Sequence, residues 1–95
     1  MLNAVIIHEN DSVAIAIEEI AKGEMVSLKT LDKKDMLFEA LNDIPMYHKI
    51  ALKPIKEGQP ILKYGEHIGQ ASEDIEKGSH VHEHNVESVR EDLHV

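Results

Sequence analysis

Three histidines at alternating positions, His80, His82 and His84, stand between Ser79 and Asn85, and a fourth, His48, precedes Lys49 far upstream. Imidazole is the commonest biological metal ligand and the ordinary acid or base near neutral pH, so this is where chemistry would be sought first. If the stretch from Ser79 to Asn85 is a strand entered from a turn at Lys77-Gly78, His80, His82 and His84 share one face. Alternate residues of a strand are about 6.6 Å apart, which puts the outer two backbones roughly 13 Å from each other. Metal–nitrogen bonds are about 2 Å, so a regular strand aims two of the three at one ion; a third ligand must come from elsewhere, or the strand must bend. Neutral imidazole with oxygen co-ligands suits zinc or ferrous iron, and a chain without cysteine has no thiolate sites. The competing reading is an exposed, acid-flanked strand whose histidines are only solvated.

The elements that must position these residues belong to one small domain. A chain of 95 residues can bury one core. Ten basic and eighteen acidic side chains leave a net charge of −8, which protonating all seven histidines would reduce only to −1. No Lys/Arg cluster is available for a nucleic-acid backbone or an anionic membrane surface, so neither is expected as a partner. The longest apolar run, Val13 to Ile17, is far below the ~20 residues of a spanning helix, and Met1-Leu2-Asn3 lacks the positive region of a signal peptide. A cytoplasmic location is the resulting expectation. With Phe38, Tyr47 and Tyr64 the only aromatic residues, the core must be aliphatic and rich in isoleucine and valine, which favours strands.

A pattern of corners organises the chain. An acidic residue or proline, an isoleucine, a few turn residues and an aliphatic residue six places after the isoleucine recur at Ile20/Val26, Ile44/Ile50, Ile55/Ile61 and Ile75/Val81. Gly23, Gly58 and Gly78 fall three places after their isoleucines, as a turn requiring positive φ demands. Tyr47 occupies that place in the second copy, so its turn is either of another type or strained. The irregular starts exclude a fixed-period solenoid. Ala4 to Ile7 and Val13 to Ile17 read as a hairpin, and Lys49 to Leu52, Ile61 to Tyr64 and Glu66 to Ala71 as further short strands. Thr30 to Asn42 fits one face of a two-turn helix or, as Met36, Phe38 and Ala40, one face of a strand; the strand is preferred. The expected domain covers residues 1–95, with 86–95 a flexible tail.

Several phrases in this order resemble one family: His48-Lys49-Ile50-Ala51-Leu52, Ile61-Leu62-Lys63-Tyr64-Gly65, Ile68-Gly69, Asp74-Ile75, Lys77-Gly78 and His80-Val81-His82-Glu83-His84-Asn85. The pattern is similar to the SAF domain of altronate and galactarate dehydratases, which also occurs as the free small (alpha) subunit of sulfolactate sulfo-lyase. The resemblance runs from Ala4 to Arg90. It implies an all-β, β-clip fold and a large catalytic subunit as partner. It also implies substrates among the 2-hydroxy acids (sugar acids or sulfolactate), and a divalent metal, Fe(II) first with Mn or Zn as alternatives.

Carried onto this sequence, the resemblance makes His80, His82 and His84 the metal ligands, Asn85 a substrate-binding residue, and His48 and Lys49 the catalytic pair. The expected reaction is β-elimination from a 2-hydroxy acid to a 2-keto acid, with the chain inactive alone. A non-catalytic carbohydrate-binding or assembly module is the alternative. Strand edges also leave a homo-oligomer open. Two departures stand out: Tyr47 where the family usually has glycine, and Ser88 to Val95 where many small subunits continue with an arginine- and glycine-rich tail.

Overall fold

In the computed structural model, which describes residues 2–6, 8–63 and 65–87, short antiparallel strands account for all regular structure. They are β1 (Ala4–Val5), β2 (Val13–Ala16), β3 (Met25–Lys29), β4 (Asp35–Glu39), β5 (Lys49–Ala51), β6 (Pro60–Lys63), β7 (Glu66–Ala71), β8 (His80–Val81) and β9 (Val86–Glu87). The domain is all-β, as its isoleucine- and valine-rich core predicts. The segment open to two readings is strand: in β4, Phe38 points inward while Leu37 is exposed, with Met36 half-buried. The expected tail opens differently, because Val86 and Glu87 pair with Ala71 and Gln70 of β7. Ile7, Tyr64 and the segment 88–95, on which parts of the strand and tail expectations fell, lie outside the described residues.

A central sheet in the order β1-β2-β5-β8 separates two aliphatic clusters. Ala4, Ala14, Ala16 and Ile50 face the β3–β4 hairpin and pack with Val26, Leu28 and Phe38. From the opposite face, Val13, Ala51 and Val81 pack with Ile61 and Ala71 of the sheet ordered β6-β7-β9. Period-2 alternation thus feeds two cores from one sheet.

The repeated corners are joined in pairs. Ile20 and Ile44 exchange backbone hydrogen bonds of 3.0 and 2.7 Å, and Ile55 and Ile75 exchange bonds of 2.8 and 2.7 Å. Each corner then donates the N–H of its positive-φ residue to an alanine carbonyl in the paired corner's lead-in. Gly23 donates to Ala40, Tyr47 to Ala16, Gly58 to Ala71 and Gly78 to Ala51. These four alanines, each four residues before a corner isoleucine, are at most 1% exposed. A larger side chain there would hold the two backbones apart. The acidic position also has a role, since Asp43 and Asp74 accept the backbone N–H of Lys22 and Glu57 across each pair. Tyr47 is in the left-handed region at φ 71°, with the same turn bond as its glycine counterparts, His48 N–H to Pro45 carbonyl at 3.0 Å. The strained alternative holds at Tyr47.

Gly58 and Gly78 separate the two costs of losing a corner glycine. A Cβ on Gly58 meets nothing within 4 Å, whereas one on Gly78 collides with the Glu39 carbonyl oxygen. Gly58→Ala should cost about 1 kcal/mol, the left-handed strain alone. Gly78→Ala should cost about 3 kcal/mol or more because backbone must move. Urea unfolding of the two variants, compared with wild type, measures the difference.

Candidate metal centre

The paired corners carry the histidines. His48 follows the Tyr47 turn and lies two residues before Ile50, so alternation puts it on the β3–β4 side of the central sheet. His80 lies directly opposite Ile50 and shares that face. The strand expected through the histidine phrase stops at Val81, because residues 82–85 close a turn with a 3.0 Å bond from Asn85 N–H to the His82 carbonyl. Asn85, only 4% exposed, fastens that turn at both ends of its carboxamide. Its Oδ1 accepts the His82 N–H at 2.9 Å, and its Nδ2 donates to the His80 carbonyl at 2.9 Å. A further 2.9 Å bond, from the His80 N–H to Asn42 Oδ1, ties the start of the phrase to the loop after β4.

The third donor comes from the second corner and not from the phrase itself. One nitrogen from each of His48, His80 and His82 lies within 4.8 Å of the other two. His48 Nδ1 and His80 Nε2 are 2.9 Å apart, a hydrogen bond that needs one ring to donate and the other to accept. All three rings stack, with centroid separations of 4.4 to 5.5 Å. His84 is exposed and tilted against His80 at 5.3 Å, outside the converging trio. The convergent set is therefore His48, His80 and His82, not the three of the alternating phrase.

Lys49 does not join them. It pairs with Val81, whose side chain belongs to the second core cluster, so it lies on the opposite face of the sheet from His80. Burial first, and Lys63 second, lower its pKa below that of an ordinary lysine. His48 and Lys49 are sequence neighbours that the pleat sends to opposite faces. Asn85 reaches the loop backbone with both polar atoms. The positioning residues that sequence reasoning passed over are Asn42 and the corner alanines; the recurrence of alanine four places before each isoleucine was the available signal.

His80 favours its neutral form. Desolvation is the largest cause lowering His80 from the ordinary 6.5 to about 4, followed by His48, His84, His82 and Lys49. A neutral imidazole is the form that offers a lone pair to a cation. Three imidazole donors from two distant segments fit a divalent metal of the zinc or iron type. The site is partly open, its three histidines half-buried, and the surface clefts at Glu19-Ile20-Asp43, Ile6-Thr30-Asp32 and Ser12-Pro54-Leu62 are lined by none of them.

Fold and site thus define a class, a small all-β domain presenting a three-imidazole donor set on an open face. Residues 2–89 match the family model of the altronate/galactarate dehydratase SAF domain, and the chain belongs to that family. It is 42% identical over 87 residues to altronate dehydratase of Bacillus subtilis (strain 168), covering 92% of this chain and 16% of that enzyme. It is 44% identical over 66 residues to (2R)-sulfolactate sulfo-lyase subunit alpha of Paracoccus pantotrophus, covering 70% of this chain and 98% of that subunit. The corresponding subunit of Chromohalobacter salexigens is 31% identical over 88 residues, covering 90% of this chain and 94% of that one. The chain therefore spans about a sixth of the altronate dehydratase and nearly the whole of the alpha subunits. Among the described residues, no helix is long and apolar enough to cross a membrane.

Because unfolded His80 takes up its proton near 6.5 and the folded ring near 4, the unfolded state binds more protons between those values. Stability contributed by this site should be complete above about pH 6.5 and fall as pH drops toward 4. The measurement is the pH dependence of urea unfolding, with the NMR titration of the His80 ring locating its midpoint. His80→Gln should flatten that part of the profile. Separately, Asn85→Ala should cost about 1–3 kcal/mol by stranding the loop's buried backbone groups, read from the same unfolding curves.

Proposed function

We propose that the chain is the small subunit of a sugar-acid dehydratase or lyase of the altronate or galactarate type, active only with a large catalytic subunit. The observation that carries the reading is the convergence of His48 with His80 and His82 on an open face. A donor set assembled from two corners is expensive to maintain as a solvated surface, and an open one needs walls from another polypeptide. The near-complete coverage of the sulfo-lyase alpha subunits supports a free small subunit, and the SAF relationship supports a β-clip architecture. A cytoplasmic setting follows from the same reading.

The reaction is β-elimination from a 2-hydroxy acid: the proton on C2 is removed, the hydroxide or sulfite on C3 departs with its bonding pair, and the enol tautomerises to a 2-keto acid. A divalent cation, Fe(II) first with Mn(II) or Zn(II) as alternatives, would act there as a Lewis acid toward the carboxylate and 2-hydroxyl. His48, His80 and His82 would hold it, and Asn85 and Asn42 fix the loop that aims the last two. With His48 committed as a ligand, it no longer serves as the acid or base expected of it. Lys49, on the far face, is also removed from the reacting carbon, and the base comes from the large subunit. His84, exposed at the edge of the trio, is free to meet substrate.

Titration of Fe(II), Mn(II) and Zn(II) into the purified chain near neutral pH tests the donor set. Stoichiometric uptake should be weakened at least tenfold by His48→Ala, His80→Ala or His82→Ala, and retained in His84→Ala and Lys49→Ala. Loss with His84→Ala but not with His48→Ala would restore the three histidines of the alternating phrase and sink this assignment. Turnover of a sugar acid by the chain alone would refute the small-subunit reading.

A further inference from the structure

An apolar patch is built around the same corner that carries His48. Of the large apolar side chains exposed among the described residues, Tyr47 is the most open at 70%, with Met46 at 49%, Leu2 at 42% and Ile17 at 41%. Backbone bonds draw Tyr47, Met46 and Ile17 together. Tyr47 N–H reaches the Ala16 carbonyl at 2.7 Å and Ala16 N–H reaches the His48 carbonyl at 3.0 Å, which lays Ile17 beside Met46 and Tyr47. The Ile17 N–H also bonds to the Asn3 carbonyl at 2.9 Å, which fixes the end of β2 that carries Ile17. Exposed Glu18 and Glu19 border the patch.

Tyr47 is also the corner residue whose backbone favours glycine. The three equivalent positions are Gly23, Gly58 and Gly78, at φ 85° to 92°, and Tyr47 adopts φ 71° with a full side chain. Such strain persists where the surroundings impose it and is a pointer to function. Here nothing in the fold gains from the ring, which stands in solvent. A rigid aromatic ring at little rotamer cost is characteristic of the anchor of a protein interface.

We infer that Tyr47, with Met46 and Ile17, is the anchor by which this domain docks against its large catalytic subunit, so that closure of the interface walls the histidine trio. The inference rests on the small-subunit reading. The occupant is a large subunit and not a second copy, for two reasons. The patch includes the residue next to His48 in the chain, and the clefts at Glu19-Ile20-Asp43, Ile6-Thr30-Asp32 and Ser12-Pro54-Leu62 are lined by none of the trio. The chain also spans only 16% of the altronate dehydratase it resembles, so the missing walls belong to the rest of such an enzyme. The bordering glutamates call for a basic rim on that partner.

The test uses the large subunit from the same source, identified as the polypeptide matching the part of altronate dehydratase that this chain lacks. Its affinity for the chain is measured by isothermal titration. Tyr47→Gly should weaken binding roughly 30-fold or more, the loss typical of an anchor residue. Its own unfolding midpoint should not fall, since the left-handed strain is relieved, so weaker binding cannot be ascribed to misfolding. Tyr47→Phe should bind within about threefold of wild type, Met46→Ser should weaken binding in the direction of Tyr47→Gly, and Leu31→Ser and Ile68→Thr, elsewhere on the surface, should bind as wild type does. Unchanged affinity of Tyr47→Gly overturns the anchor while leaving the small-subunit reading intact. No binding by wild type overturns both. Self-association of the isolated chain that Tyr47→Gly abolishes assigns the patch to a second copy and overturns the inference.

Discussion

The fold hangs on one reciprocal arrangement: a corner turns on a residue of positive φ, and the N–H exposed by that turn is satisfied by an alanine carbonyl leading into the paired corner. A buried N–H left without an acceptor is costly, so each corner needs its partner to be in register. The requirement explains why isoleucines far apart in the chain meet, Ile20 with Ile44 and Ile55 with Ile75, and why alanine stands four residues before each. Strands of two to six residues would be weak as isolated pairs. Cross-linking their ends by these bonds, and burying aliphatic side chains on both faces of the central sheet, makes them one structure.

The histidine trio is a by-product of that linkage. The second and fourth corners feed β5 and β8, which are neighbours in the central sheet, so the residues just after their turns are adjacent in space. His48 and the His80 phrase occupy those places. Burial first, and the neighbouring imidazoles after it, push the His80 ring toward its neutral form, the state a cation requires. The Asn85 carboxamide turns the chain after Val81, and the third donor, His48, comes from the neighbouring corner.

Tyr47 departs from this economy. Its backbone does what glycine does in the other three corners, while its ring contributes to no core cluster. The strain and the exposure together set the corner beside His48 apart from the other three.

Much of this was legible in the sequence. Isoleucine and valine with almost no aromatics dictated strands, Gly23, Gly58 and Gly78 marked the turns, and alternation at Met36, Phe38 and Ala40 selected a strand over a helix. The phrases around His48 and His80 carried the family. These are local properties, fixed by backbone conformation and side-chain period. Only the tertiary structure decided which corners pair, because that depends on satisfying hydrogen bonds between distant segments. It likewise decided that His48 takes the place expected of His84 and that Lys49 faces away. A pleat sends adjacent residues to opposite faces, and a single buried asparagine sets how far a short strand runs before it turns.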